Sequence, residues 1–127
     1  MNQRQIAQRW YRQQDSLVRQ FVEQALPRLC AQLKPKLVLL FGSRARGTAR
    51  EDSDLDIIVV SQAFEGMHFL KRMPFVLRLV RFPRHVDLLC YTPAEFEQIQ
   101  QVSSIVREAM REGVVLYQAE GSLTTVS

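Results

Sequence analysis

Two pairs of residues in the stretch LLFGSRARGTAREDSDLDIIVV have the types and the spacing for chemistry on a phosphate. Asp54 and Asp56 lie two positions apart in an apolar run. On a strand their side chains point the same way, with Cα atoms roughly 6.5 to 7 Å apart, so both can reach one cation or straddle two. Gly42-Ser43 ends the preceding apolar run, with ten residues between Ser43 and Asp54. This arrangement indicates metal-assisted chemistry on a phosphate.

A third aspartate, Asp87, interrupts another apolar run, HVDLLCY. Burying an unpaired carboxylate costs several kcal/mol or forces its protonation, so acids inside strand patterns call for an explanation. If Asp54, Asp56 and Asp87 converge, cations must offset their repulsion, and Mg²⁺ is commonly held by a few carboxylates and substrate phosphates. Two such ions roughly 3.5 to 4 Å apart can support an in-line displacement at phosphorus. The alternative is that Asp54 and Asp87 are strand-end residues that pair with nearby arginines.

The Gly-Ser turn supplies the groups that would contact the phosphate. Gly42 allows the backbone to approach a phosphate closely. Ser43 offers a hydroxyl and begins a short predicted helix, SRARG, whose first N–H groups can face an anion. Arg44 or Arg46 can neutralise phosphate charge. Gly-Ser alone is a weak signal, and its value here comes from its fixed distance to the acid pair.

The apolar spacing predicts the helices that must support these residues. Residues 3–33 have the pattern of one or two amphipathic helices, with Asp15 or Ser16 as a candidate cap. Pro27 must kink or restart this region, because it lacks an N–H and clashes with the preceding turn. Two further helices are predicted at residues 66–81 and 93–112.

Short apolar runs predict four strands, at residues 36–41, 54–60, 85–91 and 114–117. Thr92, Pro93 and Glu95 form a capping-box-like start to the last predicted helix, and Gly113 ends it. The pattern is that of an α/β (α+β) protein with a sheet of about four strands. His68 and His85 have no carboxylate or cysteine at ligand spacing, so we do not expect a zinc site.

Length and composition predict one domain over residues 1–127, because the chain has 127 residues and 46% hydrophobic content. We divide it into an N-terminal helical region at 3–33, a catalytic core at 36–117 and a loose tail at 118–127. Without a long apolar run or a signal-peptide pattern, we expect a cytoplasmic protein that does not contact membranes. Cys30 and Cys90 belong to no CxxC pattern and are predicted to be buried thiols.

The charge balance favours phosphate contacts without indicating a nucleic-acid surface. The chain has 17 Lys and Arg, mostly Arg, against 13 acids, which gives a formal net charge of +4. A guanidinium suits bidentate phosphate recognition. The excess is small and no basic stripe with interleaved aromatics accompanies it, so we do not expect direct nucleic-acid binding.

The spacing G42-S43, ten residues, D54-L55-D56 resembles the GS-x10-DxD signature of the polymerase-beta-type nucleotidyltransferase superfamily. The surrounding FGSRARGTAREDSDLDIIVV looks specifically like the minimal nucleotidyltransferases, and the resemblance extends through HVDLLCYTPAEF to EAMREGVVLY. It implies the nucleotidyltransferase-type mixed sheet flanked by helices. Asp54 and Asp56 would correspond to metal-binding aspartates, and Asp87 to the third carboxylate, which also helps to deprotonate the acceptor.

The resemblance also implies a reaction. Gly42-Ser43 would contact the triphosphate, with Arg46 assisting, while two Mg²⁺ ions support transfer of a nucleoside monophosphate, typically AMP from ATP, to a hydroxyl. Similar small chains are commonly antitoxins that adenylylate a tyrosine of a helical HEPN-domain RNase toxin. Two alternatives stay open: an antitoxin that acts by steric binding, and the core of a small-molecule enzyme of the aminoglycoside-modifying kind that needs a partner chain. Association with itself or with another chain is also left open.

Overall fold

The computed structural model describes residues 15–120, so the expectations for residues 3–14 and 121–127 lie outside the described part of the chain. The helices are α1 Ser16–Gln24, α2 Leu26–Leu33, α3 Ser43–Arg46, α4 Phe69–Val80, α5 Pro93–Val102 and α6 Ser104–Glu112. The strands are β1 Leu37–Phe41, β2 Leu55–Val60, β3 Val86–Tyr91 and β4 Val114–Gln118. All four strands lie within two residues of their predicted bounds.

The strands form one mixed sheet in the order β3-β2-β1-β4. Strand β1 runs antiparallel to both β2 and β4, whereas β2 and β3 are parallel and are joined by a crossover that contains α4. Parallel neighbours need such a long connection, because a tight hairpin reverses the chain direction. The predicted α/β fold, with a four-stranded mixed sheet flanked by helices, is confirmed.

Each face of the sheet packs against a different set of helices. Side chains of α1, α2 and α4 pack on the face that carries Leu55, Ile57 and Val59. Helices α5 and α6 cover the opposite face, where Ile58 and Val60 are fully buried. Because side chains alternate along a strand, Asp56 belongs to this second face. The second face ends in polar groups at the start of β2, and this is where the candidate site lies.

The helix boundaries follow local caps, and two of them differ from the predictions. The helix predicted at residues 66–81 spans Phe69–Val80, because His68 caps its first turn. Asp15 caps α1 by accepting hydrogen bonds from Leu17 N and Val18 N, and Pro27 occupies the first turn of α2, where a missing N–H costs little. The Thr92–Glu95 capping box is present. The predicted continuous helix over 93–112 was wrong: it divides at Ser103, whose hydroxyl accepts from Val106 N and starts α6.

A buried guanidinium joins the crossover helix to the sheet. Arg72 on α4 donates to the Met67 and Cys90 carbonyls and forms a bidentate ion pair with Glu95. Burial raises the pKa of the Cys90 thiol to about 12, so the thiol is unreactive at neutral pH.

Across residues 15–120, every helix is too short or too polar to cross a bilayer.

Candidate functional site

The sheet brings the three predicted aspartates to one corner. Asp56 lies in β2 and pairs directly with Asp87 on the neighbouring parallel strand β3. Asp54 stands just before β2 and is exposed, as is Asp87, whereas Asp56 is half-buried. The parallel pairing explains the convergence, because the N-terminal ends of β2 and β3 lie side by side at the same end of the sheet. Asp87, which is 31 positions after Asp56 in the sequence, therefore meets the Asp54 and Asp56 pair at one corner of the sheet.

The electrostatics of this corner fit a divalent cation. Burial raises the pKa of Asp56 above its ordinary value, and the charges of Asp87 and Asp54 raise it further, while Arg46 opposes the shift. Burial and the neighbouring carboxylates both disfavour the ionised form of Asp56, and a bound cation would favour it. The donors are oxygen atoms, which hard cations such as Mg²⁺ prefer. The residues present therefore suit a divalent metal, with Asp54, Asp56 and Asp87 as its candidate ligands.

The Gly42 turn fits against the acid pair. Gly42 has a φ of +77°, a backbone conformation that L side chains rarely adopt, and a β-carbon built there would overlap Oδ2 of Asp56. Strand pairing explains this proximity, because Phe41, the residue before the turn, is the partner of Asp56. Ser43 then begins α3, a single turn that ends at Gly47 in the left-handed conformation. Glycine is thus required at position 42 both by φ and by the neighbouring carboxylate.

Arg44 has a different place from the predicted one. Its side chain is 7% exposed and pairs with Asp15, with Nη1 2.9 Å from Oδ2. The remaining donors bond to the carbonyl oxygens of Ser53, Arg50 and Glu51 in the loop before β2. No donor of this guanidinium is left to contact a phosphate. We therefore correct the prediction of a nucleotide contact and assign Arg44 to holding the loop that carries Asp54.

The phosphate contact predicted for Arg46 stays a prediction, and its surroundings differ from those of Arg44. It is exposed and lines a cavity of about 190 Å³ next to the Gly42 turn. The cavity lies between the end of β1 and α6, and its other lining residues are Phe41, Gly42, Ile105, Glu108, Ala109, Glu112 and Gly113. Arg46 is close enough to Asp56 to lower the pKa of that carboxyl. Its positive charge is therefore available to a ligand at the mouth of the site.

His85 belongs to the corner and was missed by sequence reasoning. Its Nδ1 lies 3.1 Å from Oδ2 of Asp54. The sequence did carry a signal: His85 and Asp87 are two positions apart at the start of a strand, so they share a face. Spacing along the chain does not reveal the carboxylate that His85 contacts, because Asp54 precedes a different strand, β2.

The comparisons with known proteins agree with this geometry. Residues 22–116 match the nucleotidyltransferase domain family. The chain belongs to this family. The match begins inside α1 and includes all three aspartates and the Gly42-Ser43 turn, and domains of this family generally use a nucleoside triphosphate and a divalent metal. Among curated proteins, no match was found.

The likeness to solved structures supports the nucleotidyltransferase fold. A predicted nucleotidyltransferase from Sulfolobus solfataricus aligns with a TM-score of 0.61 at 23% identity, over 88% of this chain and 89% of the other. A toxin–antitoxin structure with AMP-PNP aligns at 0.49 and 21% identity, over 76% and 73% of the two chains. BolA1 from Arabidopsis thaliana aligns at 0.47 and 24% identity, over 58% and 93%. Of these three, the fold likeness rests on the Sulfolobus solfataricus protein, and the other two carry no argument.

Proposed function

We propose that this chain is a magnesium-dependent nucleotidyltransferase that moves AMP from ATP to a hydroxyl of a protein partner. The observation that carries the proposal is the placement of Asp54, Asp56 and Asp87 at one sheet corner beside the Gly42-Ser43 turn, within a nucleotidyltransferase domain. We also propose that residues 36–117 form the catalytic core of a single domain, with helices α1 and α2 supporting it.

Each residue has a role in the proposed transfer. Mg²⁺ held by the three carboxylates would offset charge on the attacking and leaving oxygens. The Gly42-Ser43 turn binds the β- and γ-phosphates through N–H groups and the Ser43 hydroxyl, and Arg46 adds positive charge. The acceptor oxygen forms a bond to the α-phosphorus as the bond to the bridging oxygen breaks. Asp87 accepts the hydroxyl proton, and pyrophosphate leaves.

The openness of the corner favours a macromolecular acceptor. The side chains of Asp54 and His85 are 45% and 70% exposed, so the site lies at the surface where a residue of another protein can reach it. A small acceptor would instead need a pocket that encloses it. Given the resemblance to minimal nucleotidyltransferases, we propose an antitoxin that adenylylates a HEPN-type RNase toxin.

Transfer of label distinguishes this function from its alternatives. The purified chain is incubated with Mg²⁺, ATP labelled at the α-phosphate and a helical HEPN-domain protein as the candidate acceptor, and label in that protein is measured. Asp54→Asn with Asp56→Asn should abolish transfer, whereas Asp52→Asn, an exposed acid of the same loop, should leave it intact.

Three outcomes count against parts of the proposal. Transfer that survives the double substitution would exclude the proposed metal site. Neutralisation of the toxin by a variant that no longer transfers label would favour steric binding. Label that reaches an aminoglycoside and not the protein would favour the small-molecule enzyme.

A further inference from the structure

A nitrogen donor stands beside the carboxylates of the proposed metal site. His85 Nδ1 lies 3.1 Å from Asp54 Oδ2, and one donor atom from each of Asp54, His85 and Asp87 falls within 4.8 Å of the others. The three residues come from the segment before β2 and from the start of β3, so the sheet itself sets their separation. The ring is exposed and no other contact holds it among the described interactions of residues 15–120.

These separations suit ligands of one ion. With metal–ligand bonds of roughly 2.1 Å, adjacent octahedral donors lie about 3 Å apart and opposite ones about 4.2 Å apart. The 3.1 Å distance between His85 Nδ1 and Asp54 Oδ2 matches that of two adjacent donors. The donor atoms of all three residues lie within 4.8 Å of one another, so even the largest separation exceeds the distance between opposite donors by well under 1 Å. Rotation of exposed side chains supplies such a change without moving the strands. His85 is thus placed as a ligand and not only as a hydrogen-bond partner of Asp54.

We propose that His85 is a nitrogen ligand of the divalent cation and widens the metal preference of the site toward transition-metal ions. The inference rests on the metal site of the proposed function. Mg²⁺ takes oxygen ligands, whereas an imidazole raises the affinity for ions such as Co²⁺ and Ni²⁺. The three aspartates alone would bind Mg²⁺, and His85 adds affinity for the softer ions.

Pulsed electron paramagnetic resonance of bound Mn²⁺ tests the ligand directly. In untagged protein loaded with Mn²⁺ alone, a nitrogen ligand gives ¹⁴N modulation, and His85→Gln should remove it. The chain has two histidines, so His68→Gln is the matched control. His68 caps α4 by accepting from Leu70 N, outside the carboxylate corner, and its replacement should leave the modulation unchanged.

Calorimetry of metal binding gives a second readout. His85→Gln should weaken Co²⁺ binding at least about 10-fold, since even loss of a group that only supports a ligand costs about 10- to 100-fold, and should change Mg²⁺ binding little. Absence of ¹⁴N modulation in the wild-type protein, or equal loss of both metals in the variant, would overturn the assignment of His85. In that case, metal binding that still requires Asp54 and Asp56 leaves the proposed function standing. Absence of any metal binding overturns both proposals.

Discussion

Gly42 and Asp56 are packed so closely that any side chain at position 42 would occupy the space of the Asp56 carboxylate. The contact arises because the turn follows β1 directly and β1 pairs with β2. The turn that we propose to bind phosphate and the acid that we propose to bind the metal therefore pack directly against each other. A change at Gly42 should disturb both halves of the site.

Gly42→Ala should reduce nucleotide transfer at least about 100-fold, because a methyl group would displace Asp56 and strain the turn. Mg²⁺ binding, measured by calorimetry, should weaken with it. Gly66→Ala is the matched control, since Gly66 has a φ of +79° and open space around its Cα. It should cost about 1 kcal/mol of stability, as backbone strain alone does, and keep activity. Equal activity of Gly42→Ala and Gly66→Ala would contradict the close packing of Gly42 against Asp56.

Arg44→Ala should destabilise the protein by about 3 kcal/mol, measured by urea unfolding, because it leaves the largely buried Asp15 carboxylate without its partner. It should also weaken metal binding, since Arg44 holds the loop before Asp54. Arg50→Ala, an exposed change in the same loop, should shift stability by less than about 0.5 kcal/mol. A stable Arg44→Ala protein with weak nucleotide binding would return Arg44 to its predicted role as a phosphate contact.

Arg46→Ala, unlike Arg44→Ala, should weaken binding of the triphosphate without destabilising the protein. The side chain is exposed, so its removal should change the free energy of unfolding by less than about 0.5 kcal/mol. Affinity for the triphosphate, measured by fluorescence with a labelled analogue, should fall about tenfold, equivalent to one charge-assisted hydrogen bond. Arg78→Ala on α4, also exposed, controls for the loss of a positive charge. Unchanged affinity in Arg46→Ala would remove this residue from the site.

Glu95→Gln should make stability less dependent on acid pH. The hydrogen bonds from Arg72 lower the pKa of Glu95 to about 2, so the ionised pair stabilises the fold above the ordinary glutamate pKa and is lost as pH falls toward 2. Because the Glu95 side chain is 44% exposed, solvent screening limits the effect at pH 7 to about 1 kcal/mol. Glutamine keeps the capping box.

Thermal unfolding between pH 7 and pH 2 checks this expectation. The difference between wild-type protein and Glu95→Gln should shrink as the pH falls through this range. Glu97→Gln, an exposed neighbour on α5, should follow the wild-type curve. A difference that stays constant with pH would show that the charge of Glu95 does not contribute.

Local signals in the sequence predicted most of the fold. Thr92 and Glu95 form the cap that their spacing indicates, and Pro27 lies in a first helical turn. The acid spacing also indicated the corner of the sheet where the structure brings the three aspartates together, because i and i+2 positions on a strand are fixed by the backbone. The break at Ser103 was missed because the apolar pattern continues through it, and only the hydroxyl-to-N–H bond reveals the cap.

Arg44, whose predicted role was corrected, and His85, which was not predicted at the site, both depend on contacts between distant segments. Arg44 has its ionic partner 29 positions earlier and bonds to carbonyls that carry no side-chain signature. His85 meets Asp54, which precedes a different strand. Sequence spacing describes neighbours along one element, whereas these two residues are defined by how elements meet.

The position of β3 in the sheet has a consequence for local opening. In the described sheet this strand is hydrogen-bonded on one side only, to β2, yet it carries Asp87. Edge strands exchange their amide hydrogens more readily than central ones, since they open without the whole domain unfolding. A cation bound by both Asp56 and Asp87 would link the edge strand β3 to the neighbouring strand β2. Loading the site should thus slow amide hydrogen exchange along Val86–Tyr91 while the central strand β1 changes little.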